Sequence, residues 1–86
     1  MGDAENRMPV TLSVWPDDAD SEEAVVVNWF TREGATVEEG ASLCEVQVEK
    51  VSVDVLAPAD GTLVEIVCDE DDEFRQGDTL AWLEPA

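Results

Sequence analysis

Residues 27–46 of this chain lie on residues 64–83 at one constant offset of 37 positions (77 minus 40). Gly40 falls on Gly77, Leu43 on Leu80, Val37 on Phe74, Val46 on Leu83, Trp29 on Ile66 and Glu33 on Glu70. Two like halves imply two like sheets about an approximate two-fold axis, each burying an apolar face that neither could bury alone. One mismatch is informative. Gly34 falls on Asp71, and aspartate tolerates the left-handed backbone better than most non-glycine residues. Residues 69–73 are therefore expected to repeat the turn of "REGAT".

Strand-like segments recur at about 10–14, 25–31, 43–49, 51–57, 62–68 and 79–84, with "REGA", "EEGA", "PADG" and "RQGD" as punctuation. No segment keeps a helical period. The expected fold is all-β: a flattened β-barrel or sandwich of two quasi-two-fold-related antiparallel sheets. A length of 86 residues holds one small domain. It is placed at 10–86, after a polar, loosely ordered segment at 1–9, and "PDDADSEE" (16–23) is expected to be a solvated loop.

The segment "EVQVEKVSVDV" (45–55) contains Lys50, the only lysine in the chain. Pairing Val48 with Val51 across a two-residue loop puts Val46 opposite Val53 and Cys44 opposite Val55, all pointing inward. Gln47 with Ser52 and Glu45 with Asp54 then point outward. A one-residue slip would put the valines in water, so burial fixes the register. Glu49 and Lys50 are left alone at the tip. Tight hairpin loops favour Asn-Gly, Asp-Gly or other glycine pairs, and Glu-Lys is a poor turn. A protruding tip that gives up turn chemistry to display a lone amine suits an enzyme that must grasp and modify it.

The balance of 22 acidic against four basic residues, net −18, leaves no basic patch for nucleic acid or an anionic membrane. Acids alternate with apolar residues along predicted strands, as on a folded acidic surface and not a disordered tail. Such acidity with a single lysine favours a halophilic source, because screening at molar salt makes self-repulsion cheap, with an acidic protein of an ordinary organism as the alternative. With no histidine, the commonest general base is missing, and an independent catalytic site is not expected. A zinc site has almost no ligands, Cys44 and Cys68 read as small core residues, and 69–73 lacks the spacing of a calcium loop. No metal is expected. Residues 1–9 lack the basic and apolar regions of a secretory signal, which gives a cytoplasmic expectation.

Residues 26–66 resemble the lipoyl domain of the 2-oxo acid dehydrogenase complexes, and weaker similarity toward both ends extends the match to about three quarters of the chain. The markers are Trp29 before a "KEGD"-type turn (Arg32, Glu33, Gly34, Ala35), a "V-x-x-G-x-x-L-x-E" run (Val37, Gly40, Leu43, Glu45), the lysine turn, and a "P-x-D-G" turn (Pro58, Asp60, Gly61). The resemblance implies lipoic acid in amide linkage on Lys50, within a turn that reads Asp-Lys-Ala in the family and Glu49-Lys50-Val51 here. It assigns Gln47, Glu49, Val51 and Gly61 to recognition by the modifying enzyme. Gln47 replaces an acid usual three residues before the lysine, while the glycine usual eleven after it is present as Gly61. Val48 stands where threonine is frequent.

The resemblance implies a monomeric, non-catalytic swinging-arm carrier. It would be loaded by a lipoate ligase or lipoyl synthase and charged by a thiamine-diphosphate-dependent 2-oxo acid decarboxylase. An acyltransferase domain would discharge it to coenzyme A, and the flavin-dependent dihydrolipoyl dehydrogenase would reoxidise it. Biotin is the runner-up modification, although biotin carriers have Met-Lys-Met at the turn. An unmodified barrel-sandwich interaction module is the other alternative, and it has no need of Lys50. Residues 84–86 (EPA) would begin the Ala/Pro-rich linker of a larger acyltransferase.

Overall fold

The structure is a computed structural model that describes residues 7–12, 15 and 23–86. Among these residues eight strands are present: β1 (Met8–Val10), β2 (Glu23–Trp29), β3 (Thr36–Val37), β4 (Ser42–Val48), β5 (Val51–Leu56), β6 (Gly61–Ile66), β7 (Glu73–Arg75) and β8 (Ala81–Pro85). They form two four-stranded antiparallel sheets, ordered β1-β8-β6-β3 and β5-β4-β2-β7, and no helix occurs among the described residues. The sheets are not joined into a closed barrel.

The repeat seen in the sequence is the symmetry of the fold. At an offset of 37, β2 corresponds to β6, β4 to β8 and β3 to β7, and the two sheet orders match position by position. Core residues match as well: Val26 with Leu63, Leu43 with Leu80 and Val46 with Leu83 are pairs of equivalents, and all six are buried. Each half thus contributes one apolar face to a shared core, where burial is worth about 1.5–3 kcal/mol per large side chain. The ladders break at equivalent places, between Val26 and Asn28 and between Leu63 and Glu65.

Hydrogen bonds around the axis are reciprocal. The Glu33 carboxylate accepts from the Ile66 N–H at 2.8 Å, and its equivalent Glu70 accepts from the Trp29 N–H at 3.3 Å. Gly34 N–H donates to the Leu63 carbonyl at 2.7 Å, and Asp71 N–H to the Val26 carbonyl at 2.8 Å. Gly34 has φ +90 and Asp71 φ +74, so the expected left-handed aspartate is present. The two carboxylates satisfy strand-end amides that the sheets leave free, and a hydrogen bond to a charged group contributes about 1.5–3 kcal/mol. Glu33→Ala is expected to lower stability by about 1–2 kcal/mol and Glu70→Ala, with the longer bond, by less. Denaturant midpoints at constant m-value check this.

Several expectations need correction. Met8 and Pro9 belong to β1, where they pair with Leu83 and Trp82, so the loose segment at 1–9 is overturned at these two positions. The first strand lies at Met8–Val10 and not at 10–14, of which residues 13 and 14 fall outside the described part. The "PDDADSEE" loop lies outside it too, except for Glu23, which opens β2. The short strands β3 and β7 sit inside what reads as turn sequence, because two or three residues are too few to establish a period of two. Each joins the sheet built by the other half, so the sheets are not one half each. The remaining strands appear within about two residues of their expected limits, the usual end uncertainty.

Candidate functional site

β4 and β5 pair as the alternation requires: Val48 with Val51, Gln47 with Ser52, Val46 with Val53, Glu45 with Asp54 and Cys44 with Val55. Cys44, Val46, Val48 and Val55 are buried, which anchors the register. Val53 is half-buried. Val51 is 47% exposed, contrary to its expected burial, although its partner Val48 is fully buried: β5 is the edge strand of its sheet, so one flank of Val51 stays open. Glu49 and Lys50 form the exposed two-residue tip.

The unsuitable turn leaves a mark on the backbone. Glu49 has φ +56, whereas Lys50 is not among the residues with positive φ. A positive φ at the first central position alone is the type II′ combination, where glycine is customary. A non-glycine residue there costs roughly 1–2 kcal/mol, and the buried valine pairs below the tip supply the energy that holds it. Among the described residues no carboxylate forms an ion pair with Lys50, whereas Arg75 pairs with Glu23 at 3.6 Å and Arg7 with Glu65 at 3.8 Å. The Lys50 amine is therefore accessible, as an acceptor of an amide-linked group must be.

A shallow groove beside the tip is lined by Glu23, Ala24, Val25, Gln47, Glu49 and Glu73. The structure thus brings Gln47, Glu49, Lys50 and Val51 together and adds Glu23 and Glu73, which no sequence signal marked. They come from the first position of β2 and the first position of β7, and only the β2–β7 pairing, Val25 opposite Glu73, places them here.

Gly61 is not part of this constellation. It opens β6 in the other sheet, pairs with Pro85 and Val37, and is separated from Lys50 by the whole of β5, about 20 Å at 3.3 Å per residue. It is buried, and a Cβ there would overlap the Glu84 carbonyl and approach Pro85 Cα to 2.9 Å. Its place in the fold is explained by close packing.

Both cysteines are free. Burial, with smaller contributions from Asp54 and Cys68, pushes the Cys44 thiol up to about 12, and burial with Asp72 and Asp78 raises Cys68. Neither forms a thiolate readily, which suits packing and not nucleophilic chemistry. Trp29, half-buried beside Cys44, donates its indole N–H to the Cys68 carbonyl at 2.8 Å and joins the two halves at the axis.

Comparison with known proteins places this geometry. A family model described as "Biotin-requiring enzyme", covering biotin and lipoyl domains, matches residues 14–83. The dihydrolipoyllysine-residue acetyltransferase component of the pyruvate dehydrogenase complex of Corynebacterium glutamicum is 39% identical over 59 residues, 69% of this chain. The corresponding component of Staphylococcus epidermidis is 38% identical over 58 residues, 67% of this chain. The chain spans 9% and 13% of the length of these two relatives. Among solved structures, the lipoyl domain of the 2-oxoglutarate dehydrogenase complex of Azotobacter vinelandii superimposes with a TM-score of 0.69 at 26% identity, covering 90% of this chain and 99% of that domain. A single-chain, multi-domain long-chain acyl-CoA carboxylase shares the fold, with a TM-score of 0.74 at 20% identity over 94% of this chain and 7% of its own. With 70 of 86 positions inside the family model (83 minus 14, plus one), the chain belongs to the biotinyl/lipoyl attachment-domain family.

Proposed function

We propose that this chain is a lipoyl carrier domain of a 2-oxo acid dehydrogenase complex, with lipoic acid on Lys50. The observation that carries the reading is the chain's one lysine, exposed at the tip of a hairpin whose register the buried valines fix. The curated relatives are acyltransferase components named for dihydrolipoyllysine, and they favour lipoic acid over biotin. Glu49 and Val51 do not match the methionines that flank a biotinyl lysine. When attached, lipoic acid supplies a redox-active dithiolane able to carry acyl groups and reducing equivalents.

The chain's own residues do the rest. Val46, Val48 and Val55 hold the hairpin rigid, the Glu49 backbone sets the turn, and Lys50 extends into solvent as the attachment point. A tethered arm raises the effective concentration of its cargo at each partner. Those partners are the modifying ligase or lipoyl synthase, the thiamine-diphosphate-dependent decarboxylase, the acyltransferase domain and dihydrolipoyl dehydrogenase. The acids around the groove give the docking side a negative potential that selects among them. Intact-mass measurement of the chain recovered from its own cells tests the reading. A lipoyl increment supports it, a biotin increment replaces it with the runner-up, and an unmodified mass with lipoate available refutes both.

We propose separately, from the charge balance, that the domain works in a cytoplasm of high salt. Net charge is −18, and the Arg7–Glu65 and Arg75–Glu23 ion pairs offset little of it. The screening length falls from about 30 Å at 0.01 M salt to about 3 Å at 1 M. Raising salt over that range is therefore expected to raise the melting temperature by roughly 10 °C, corresponding to about 2 kcal/mol of relieved repulsion. A salt-independent melting temperature would exclude the halophilic assignment.

A further inference from the structure

Four strands stand at sheet edges: β1 and β3 in one sheet, β5 and β7 in the other. An open edge is a row of unpaired N–H and C=O groups that invites another strand, and proteins blunt it with brevity, proline, lysine or a bulge. Three of these edges are blunted. β1 has three residues with Pro9 at its centre, β3 has two residues and β7 three. β5 has six residues without proline or lysine, and no described strand pairs with its outer side. It is also the strand that begins immediately after Lys50.

The hairpin geometry shows which groups this edge offers. A two-residue loop makes Val48–Val51 the hydrogen-bonded pair, so the Gln47–Ser52 and Glu45–Asp54 rows are the non-hydrogen-bonded ones. The peptide groups of Ser52 and Asp54 therefore face away from β4. Val51 and Leu56, 47% and 52% exposed, stand at the two ends of the same edge. Between them Asp54 lies directly opposite Glu45, and no cation among the described residues pairs with either. Like charges facing each other across a ladder are unfavourable, and an incoming cationic side chain at that row relieves the repulsion.

We propose that the outer edge of β5 is a docking edge, to which the ligase that loads Lys50 adds an extended strand of its own. That strand presents a basic side chain to the Asp54–Glu45 row and an apolar one to Leu56. The inference rests on the reading of Lys50 as the attachment site. Strand addition draws its affinity from main-chain hydrogen bonds and fixes the partner's register along the strand, which brings the ligase to the lysine at one end of the row. It also accounts for Gln47 in place of an acid, because main-chain bonding is indifferent to that side chain. A second copy of this chain is a poor occupant, since it would set Asp54 against another surface of net charge −18.

Loading by a lipoate–protein ligase, followed by intact mass, is compared for the wild-type chain, Ser52→Pro and Asp54→Arg. Ser52→Pro deletes one outward N–H and leaves the ladder to β4 intact, and Asp54→Arg reverses the charge that the incoming strand meets without adding a second acceptor amine. Each is expected to raise the KM of loading by about tenfold with kcat little changed. In a Lys50→Arg chain, which cannot be loaded, saturating ligase is expected to slow amide exchange at Ser52 and Asp54 by about tenfold or more. Loading of both variants within twofold of wild type overturns the proposal. Unchanged amide exchange overturns it as well, and decides the matter should Ser52→Pro fail to fold. Concentration-dependent protection without ligase assigns the edge to a second copy and also overturns it. If the ligase protects these amides yet leaves wild-type Lys50 unmodified, the docking edge stands and the lipoyl-carrier reading fails.

Discussion

Lys50→Arg is expected to abolish covalent modification completely, while the melting temperature stays within about 3 °C of wild type. Arginine keeps the charge and most of the length of lysine, so the exposed tip loses no packing and no ion pair among the described residues. What it loses is the amine: a guanidinium stays protonated at any pH a protein survives and does not accept an acyl group. Because the chain has no other lysine, there is no neighbouring side-chain amine to take over. Incubation of wild type and variant with ligase, ATP and lipoate, followed by intact-mass measurement, checks this directly. A variant that still gains the lipoyl mass would remove Lys50 from the site.

Gly61→Ala is expected to have the largest effect on stability, a loss of about 3 kcal/mol and roughly 12–24 °C in melting temperature. The added methyl meets the Glu84 carbonyl, Pro85 Cα at 2.9 Å and the Glu84 carbonyl carbon at 3.0 Å. These are backbone atoms of the paired strand, so relief requires moving β8 and not merely turning a side chain. The symmetry supplies an internal control, since the equivalent of Gly61 is Ala24, which is buried and carries its Cβ without difficulty. Loading of the folded variant well below its melting point should match wild type, because Lys50 lies at the far end of β5. Slow loading of a stably folded Gly61→Ala chain would support the recognition role that the family resemblance gives Gly61.

The architecture was legible because two independent signals agreed. The offset of 37 fixed which residues are equivalents, down to a left-handed Asp71, and the valine alternation fixed the β4–β5 register residue by residue. Both report burial, which sequence encodes directly. Three things were hidden for physical reasons. Strands β3 and β7 are too short to alternate, and the exchange of these strands between sheets depends on tertiary pairing. Val51 has the residue type of the core but lies on an edge strand, and residue type does not report which strand ends a sheet. Glu23 and Glu73 reach the groove beside the tip only through the β2–β7 ladder, a contact between residues about fifty positions apart in the chain.

The crossing of β3 and β7 into opposite sheets has a consequence for how the molecule comes apart. Each short strand is held by the half to which it does not belong: β3 by β6, and β7 by β2. Neither half can detach without stripping a strand from the other, and the reciprocal Glu33 and Glu70 bonds break in the same event. Unfolding should therefore be a single all-or-none transition with no half-folded species. A mechanical pull on the hairpin tip at Lys50 then loads both halves together, so a force applied there meets the resistance of the entire domain and not that of one hairpin.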